Sequence, residues 1–82
     1  MPDLRSIETF LRRQIAVIGR LPEEKVTPES SLEMCGINSM AFVELLIAVE
    51  NEYGIKLING GLTGADLSSI TALAARINSE LK

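Results

Sequence analysis

The chain has 82 residues, 46% apolar and 23% charged, with one cysteine, no histidine, no tryptophan and a formal net charge of −3. So short a chain buries only about 60% of the surface its unfolded form exposes, and without histidine or a second thiol it lacks the usual neutral-pH base, an internal disulfide and a thiolate zinc site, which speaks against a self-contained enzyme, a metalloprotein or a secreted knot. Residues 29–66 carry six carboxylates against Lys56 alone, a field that repels nucleic-acid phosphate and favours basic protein surfaces.

Met1-Pro2-Asp3 is acidic within three residues and opens a charged helix pattern instead of a basic leader followed by an apolar stretch. In residues 3–19, Leu4, Ile7, Leu11, Ile15 and Ile18 recur at steps of three and four, with Arg12, Arg13 and Gln14 between them. That is the pattern of an amphipathic helix. Gly19, with Pro22 close behind, is expected to cap its C-terminus. Pro22 to Asn38 then makes a long connection that includes Pro28, Ser30 and Ser31. Leu21, Val26 and Leu32 are spaced to pin it against a core, and Glu23-Glu24-Lys25 reads as a solvated turn.

Residues 39–53 hold neither proline nor glycine and form the second helix, closed by Gly54. Beyond it Ile55, Leu57 and Ile58 alternate with Lys56, but no second strand-like run exists to pair with them, so an extended loop is expected. Asn59-Gly60-Gly61 reads as a flexible cluster and Thr63 to Leu67 as one short helical turn. Ser69 is placed as the N-cap of a last helix, in which Ile70, Leu73, Ala74, Ile77 and Leu81 make one apolar stripe. The expected fold is all-α: a small four-helix bundle, three main helices plus one short helix, with a long first loop and a single domain over residues 1–82. The longest apolar run, Leu45 to Val49, cannot span a bilayer, and a cytoplasmic protein with a reduced thiol is expected.

The second helix has more apolar residues than one face needs. Phe42, Leu45, Leu46, Val49 and Tyr53 make a core stripe, while Met40, Val43 and Ile47 sit at another angle, beginning beside Ser39 and fringed by Glu44, Glu50 and Asn51. Such a strip suits transient docking on partner proteins or burial under the rest of the fold. At the head of the helix stands Gly36-Ile37-Asn38-Ser39-Met40. Asn38 is a good N-cap whose side-chain oxygen can take the amide of Met40 or Ala41, which leaves the Ser39 hydroxyl free. A phosphate on that oxygen would lie near unpaired amides and the positive end of the helix dipole, although on these grounds alone Ser39 reads first as part of a cap. Cys35 has no histidine to activate it and reads as a small buried hydrophobe, and Tyr53 reads as core.

These residues resemble the acyl and peptidyl carrier proteins, small helical domains that carry a phosphopantetheine arm on a serine. Their signature is a glycine, a variable residue, aspartate or histidine, the serine, then usually leucine, and here it stands as Gly36-Ile37-Asn38-Ser39-Met40. Val43 through Ile55 is similar to the family's second helix and closing glycine. The likeness extends to the chain length, the first helix, the long loop with Leu32 and the segment Ser69-Ile70-Thr71-Ala72-Leu73. The resemblance implies a freestanding carrier in which Ser39 accepts phosphopantetheine from a separate magnesium-dependent phosphopantetheinyl transferase. Gly36 and Asn38 flank the attachment, and the arm's thiol holds an acyl, aminoacyl or peptidyl group as a thioester. Met40, Val43, Glu44, Ile47 and Glu50 fall where the family meets the transferase, adenylating or loading enzymes, and condensing or other acyl-transferring enzymes. Such a carrier is not itself an enzyme, needs no metal and works as a monomer.

Two departures stand out. Asn38 replaces the usual aspartate or histidine, which keeps the cap and removes a charge near the modification site. Met40 replaces the usual leucine at similar volume, and serine followed by methionine also occurs in aminoacyl and D-alanyl carriers, which leans the expectation toward an aminoacyl or peptidyl carrier. The alternative is an unmodified helical interaction module that uses the Met40, Val43 and Ile47 strip for protein binding alone.

Overall fold

The computed structural model describes residues 3–27, 29, 30, 32–57, 62 and 65–81. In chain order it contains α1 (Leu4–Gly19), a 3₁₀ turn (Glu23–Lys25), a second 3₁₀ turn (Glu33–Cys35), α2 (Ser39–Tyr53) and α3 (Ile70–Leu81), with no strand among the described residues. The expectations that fall on Met1-Pro2, Pro28, Ser31, Ile58, Asn59-Gly60-Gly61 and Thr63-Gly64 lie outside the described residues. What is described of the expected short helix, Ala65 to Leu67, is a turn, with the Ser68 N–H donating to the Ala65 carbonyl at 3.3 Å.

α1 begins with a capping box. The Asp3 carboxylate accepts from the Ser6 N–H at 2.8 Å, and the Ser6 hydroxyl oxygen accepts from the Asp3 N–H at 3.2 Å. The Ser6 amide bond holds the Asp3 carboxyl below its usual value. From there Ile7, Leu11 and Ile15 lose all exposure, joined by Ala16. α3 meets them with Ile70, Leu73, Ala74 and Ile77, all without exposed surface, and Leu81 sits at the margin. α1 is the hub of the bundle, packing against α3, α2 and both 3₁₀ turns. At its other flank Phe10 and Tyr53 meet edge to face, with ring centroids 5.3 Å apart. Burial, with a smaller push from Glu52, raises the Tyr53 hydroxyl above its ordinary pKa.

The end of α1 departs from expectation. Gly19 is the last helical residue, but the left-handed cap is Arg20, at φ 56°, and the Leu21 N–H returns to the Ala16 carbonyl at 2.9 Å. Gly19 is needed for space: a Cβ there would lie 2.6 Å from the carbonyl oxygen of Cys35. The missing side chain lets the loop before α2 lie directly on α1.

That loop is pinned, as its apolar spacing predicts. Val26, Leu32, Cys35 and Ile37 are buried, and the Arg12 Nε donates to the Val26 carbonyl at 2.8 Å. Thr27 and Ser30 share a hydroxyl hydrogen bond of 2.7 Å, and the Ile70 N–H donates to the Ser30 carbonyl at 3.1 Å, tying the loop to the start of α3. Ser69 caps α3 as expected, its hydroxyl oxygen accepting from the Ala72 N–H at 3.0 Å. After α2, Gly54 closes the helix at φ 73°, and Ile55 and Lys56 form no strand before Leu57 turns into the core.

Candidate functional site

The head of α2 is held from the loop side. The Cys35 and Ile37 N–H groups both donate to the Leu32 carbonyl, at 3.1 and 3.0 Å, and the Gly36 N–H donates to the Glu33 carbonyl at 3.0 Å. Gly36 lies at φ 76° with open space where a Cβ would go, so the backbone conformation calls for glycine here, not crowding. The reversal buries Ile37 and delivers Asn38 in extended conformation as the N-cap. Its Oδ1 accepts from the Ala41 N–H at 2.9 Å, one of the two partners expected for it.

Ser39 then stands exposed in the first turn of α2, and among the described residues its hydroxyl has no hydrogen-bond partner. The N–H groups of Ser39 and Met40 precede the first intrahelical bond, from Phe42 N–H to the Asn38 carbonyl at 2.8 Å. Such amides, together with the positive end of the helix dipole, favour an anion attached at Ser39. No acidic residue occupies the first turn to compete for them. The residues present therefore fit a phosphate ester at this oxygen.

An open groove of about 740 Å³ leads away from Ser39, walled by Phe42, by Leu32 and Ile37 of the loop, and by Leu67 and Ser68 of the turn before α3. On the other side of Ser39 the second stripe of α2 lies in water, with Met40 79%, Val43 41% and Ile47 48% exposed. Glu44 is exposed and Glu50 half-buried along its edge. Of the two fates open to that strip, burial is not the one observed.

Cys35, near Ser39 in sequence, is buried and free. Burial pushes its thiol above the usual value, and a hydrogen bond from the Ser30 side pulls only weakly the other way. It is a core residue. Among the described residues no group of three or more histidine, cysteine or carboxylate side chains is placed to hold a metal, and no helix is long and apolar enough to cross a membrane. Sequence reasoning did not find Arg12, whose bond to Val26 anchors the loop, or the triad of Asp66, Arg76 and Glu80 that ties the turn before α3 to that helix. The only signal was the i, i+4 spacing of Arg76 and Glu80.

A family model described as phosphopantetheine attachment site matches residues 9–77, from the middle of α1 through the head of α2 to the later part of α3. Comparison with curated proteins and with solved structures returns no match.

Proposed function

Because the chain belongs to the phosphopantetheine attachment family, we propose that Ser39 carries the arm and that the protein delivers an acyl, aminoacyl or peptidyl group, held as a thioester, to partner enzymes. The observation that supports this most is the Ser39 hydroxyl: solvent-facing, in the first turn of α2, and spared from capping because Asn38 does that work. When bound, the arm supplies a thiol whose thioester activates a carbonyl for transfer, on a tether that raises the effective concentration of cargo at each partner.

The chain's own residues present and orient. Asn38 holds the first turn of α2 while adding no charge beside the ester site, and the Ser39 and Met40 amides, which precede the first intrahelical bond, would favour the negative charge of a phosphate there. Gly36 sets the reversal that brings Ser39 outward. Met40, Val43 and Ile47 offer apolar contact, and Glu44 and Glu50 orient basic partner surfaces: those of a phosphopantetheinyl transferase, of adenylating or loading enzymes, and of condensing or other acyl-transferring enzymes. In this reading the chain catalyses nothing itself and acts as a single-domain monomer in the cytoplasm, and the Ser39-Met40 pair leans toward aminoacyl or peptidyl cargo.

Co-expression with a broad-specificity transferase, followed by intact mass measurement, tests the reading. A gain of one phosphopantetheine group that vanishes in Ser39→Ala is expected. A chain that stays unmodified where a control carrier is loaded contradicts it. The exposed α2 strip also suits an unmodified interaction module, whose mark is partner binding that survives Ser39→Ala with no mass gain at any stage. For the docking face, Glu44→Lys or Ile47→Asp is expected to weaken partner turnover with circular dichroism unchanged.

A further inference from the structure

Arg76 of α3 has its guanidinium set between two carboxylates. Its Nη1 lies 3.3 Å from Asp66 Oδ2, while Nη2 and Nε lie 3.1 and 3.3 Å from Glu80 Oε1. Glu80 is one turn further along the same helix, and this pair orients the planar fork. Asp66 lies off the helix, in the turn over residues 65–68, and its two successors, Leu67 and Ser68, wall the groove that starts at Ser39. The Asp66 and Arg76 side chains are 20% and 26% exposed, where an ion pair is screened less than at the open surface. The Arg13–Glu23 pair, at 3.7 Å and 49% or more exposed on both sides, is the contrasting surface case.

The start of α3 is fixed by the Ser69 cap and by the Ile70 bond to Ser30. Asp66 gives the preceding turn a side-chain tie to the same helix, and Leu67, the next residue of that turn, is half-buried and packs against the core. We propose that the Asp66–Arg76 pair is a latch that holds Leu67 against the groove beside Ser39 and so sets how well an apolar cargo is shielded from water. The latch follows from this geometry, and its effect on cargo rests on the carrier reading above. Asp66 and Arg76 are positioning residues: they act through Leu67 and Ser68, which wall the groove.

Amide hydrogen exchange on the unmodified chain reads the latch directly. Asp66→Asn keeps the shape and the acceptor but removes the charge, and exchange at residues 66–68 is expected to rise about fivefold, with Asp66→Glu near wild type and Arg76→Lys between. In the wild type, added salt is expected to speed exchange in the same turn and not within α1, a reading that does not depend on any variant folding. With loading verified by mass, hydrolysis of an octanoyl thioester is expected to rise by a similar factor in Asp66→Asn. An acetyl thioester, too short to shelter behind Leu67, should not move. Equal exchange in wild type and Asp66→Asn overturns the proposal, as does faster exchange with octanoyl hydrolysis unchanged. A chain that takes up no phosphopantetheine where a control carrier does overturns the carrier reading instead, and is recognised by its mass before any cargo is followed.

Discussion

The seam between α1 and α3 and the outer strip of α2 are built from the same kinds of aliphatic residue and meet opposite fates. Ile7, Leu11 and Ile15 vanish from solvent against Ile70, Leu73 and Ile77, whereas Met40, Val43 and Ile47 remain in water. α1 has one apolar stripe and spends it on the hub of the bundle. α2 has two, and the fold covers only the one that holds Leu45, Leu46 and Val49. The uncovered stripe starts beside Ser39, so what distinguishes a core face from an exposed face in this molecule is the supply of neighbours and not composition.

The contrast is broken most forcefully at its two ends. Leu11→Ala is expected to cost about 2–5 kcal/mol in chemical denaturation, and Ile47→Ala no more than about 0.5 kcal/mol; a comparable loss at both sites would mean that the α2 strip is structural. Next comes Gly19→Ala. Helix propensity favours alanine by about 1 kcal/mol, yet the Cβ would press on the Cys35 carbonyl, so a net loss of about 1–3 kcal/mol is expected. Stabilisation would show that the loop can back away from α1 without cost.

Asn38→Ala sharpens the comparison at the boundary between the two regions. Loss of the cap on Ala41 should cost about 1 kcal/mol, with fraying confined to the first turn of α2, while Asn38→Asp stays close to wild type. The smallest effect lies at the far end of α1. Since folding lowers the Asp3 pKa, its contribution is present above the ordinary value of 3.8 and fades as the pH falls below it. Helicity at the start of α1, followed by amide shifts, should therefore decline in acid in the wild type and stay level in Asp3→Asn, which caps without titrating.

The helices were legible because their signals are local. The span of α2, its closing Gly54, the Ser69 cap and the stripes of α1 and α3 all come from spacings within a few residues. The exposed hydroxyl of Ser39 follows from the same kind of signal, since the asparagine before it takes over the cap. What stayed hidden depends on partners distant in sequence. Gly19 looks like a helix stop until the Cys35 carbonyl is laid against it. Arg12 reads as part of a polar face until its Nε reaches the Val26 carbonyl, and Asp66 reads as an ordinary loop acid until Arg76 comes round to meet it. Ile37 sits alone between glycine and asparagine with no periodic neighbours to announce its burial.

Fragment-ion mapping of the loaded chain asks most directly whether the head of α2 is where the arm goes. One phosphopantetheine on Ser39 and on no other side chain, absent from Ser39→Ala, is the expected result. The same group found on Ser6, Ser30 or Ser68, or still present after Ser39→Ala, would contradict it.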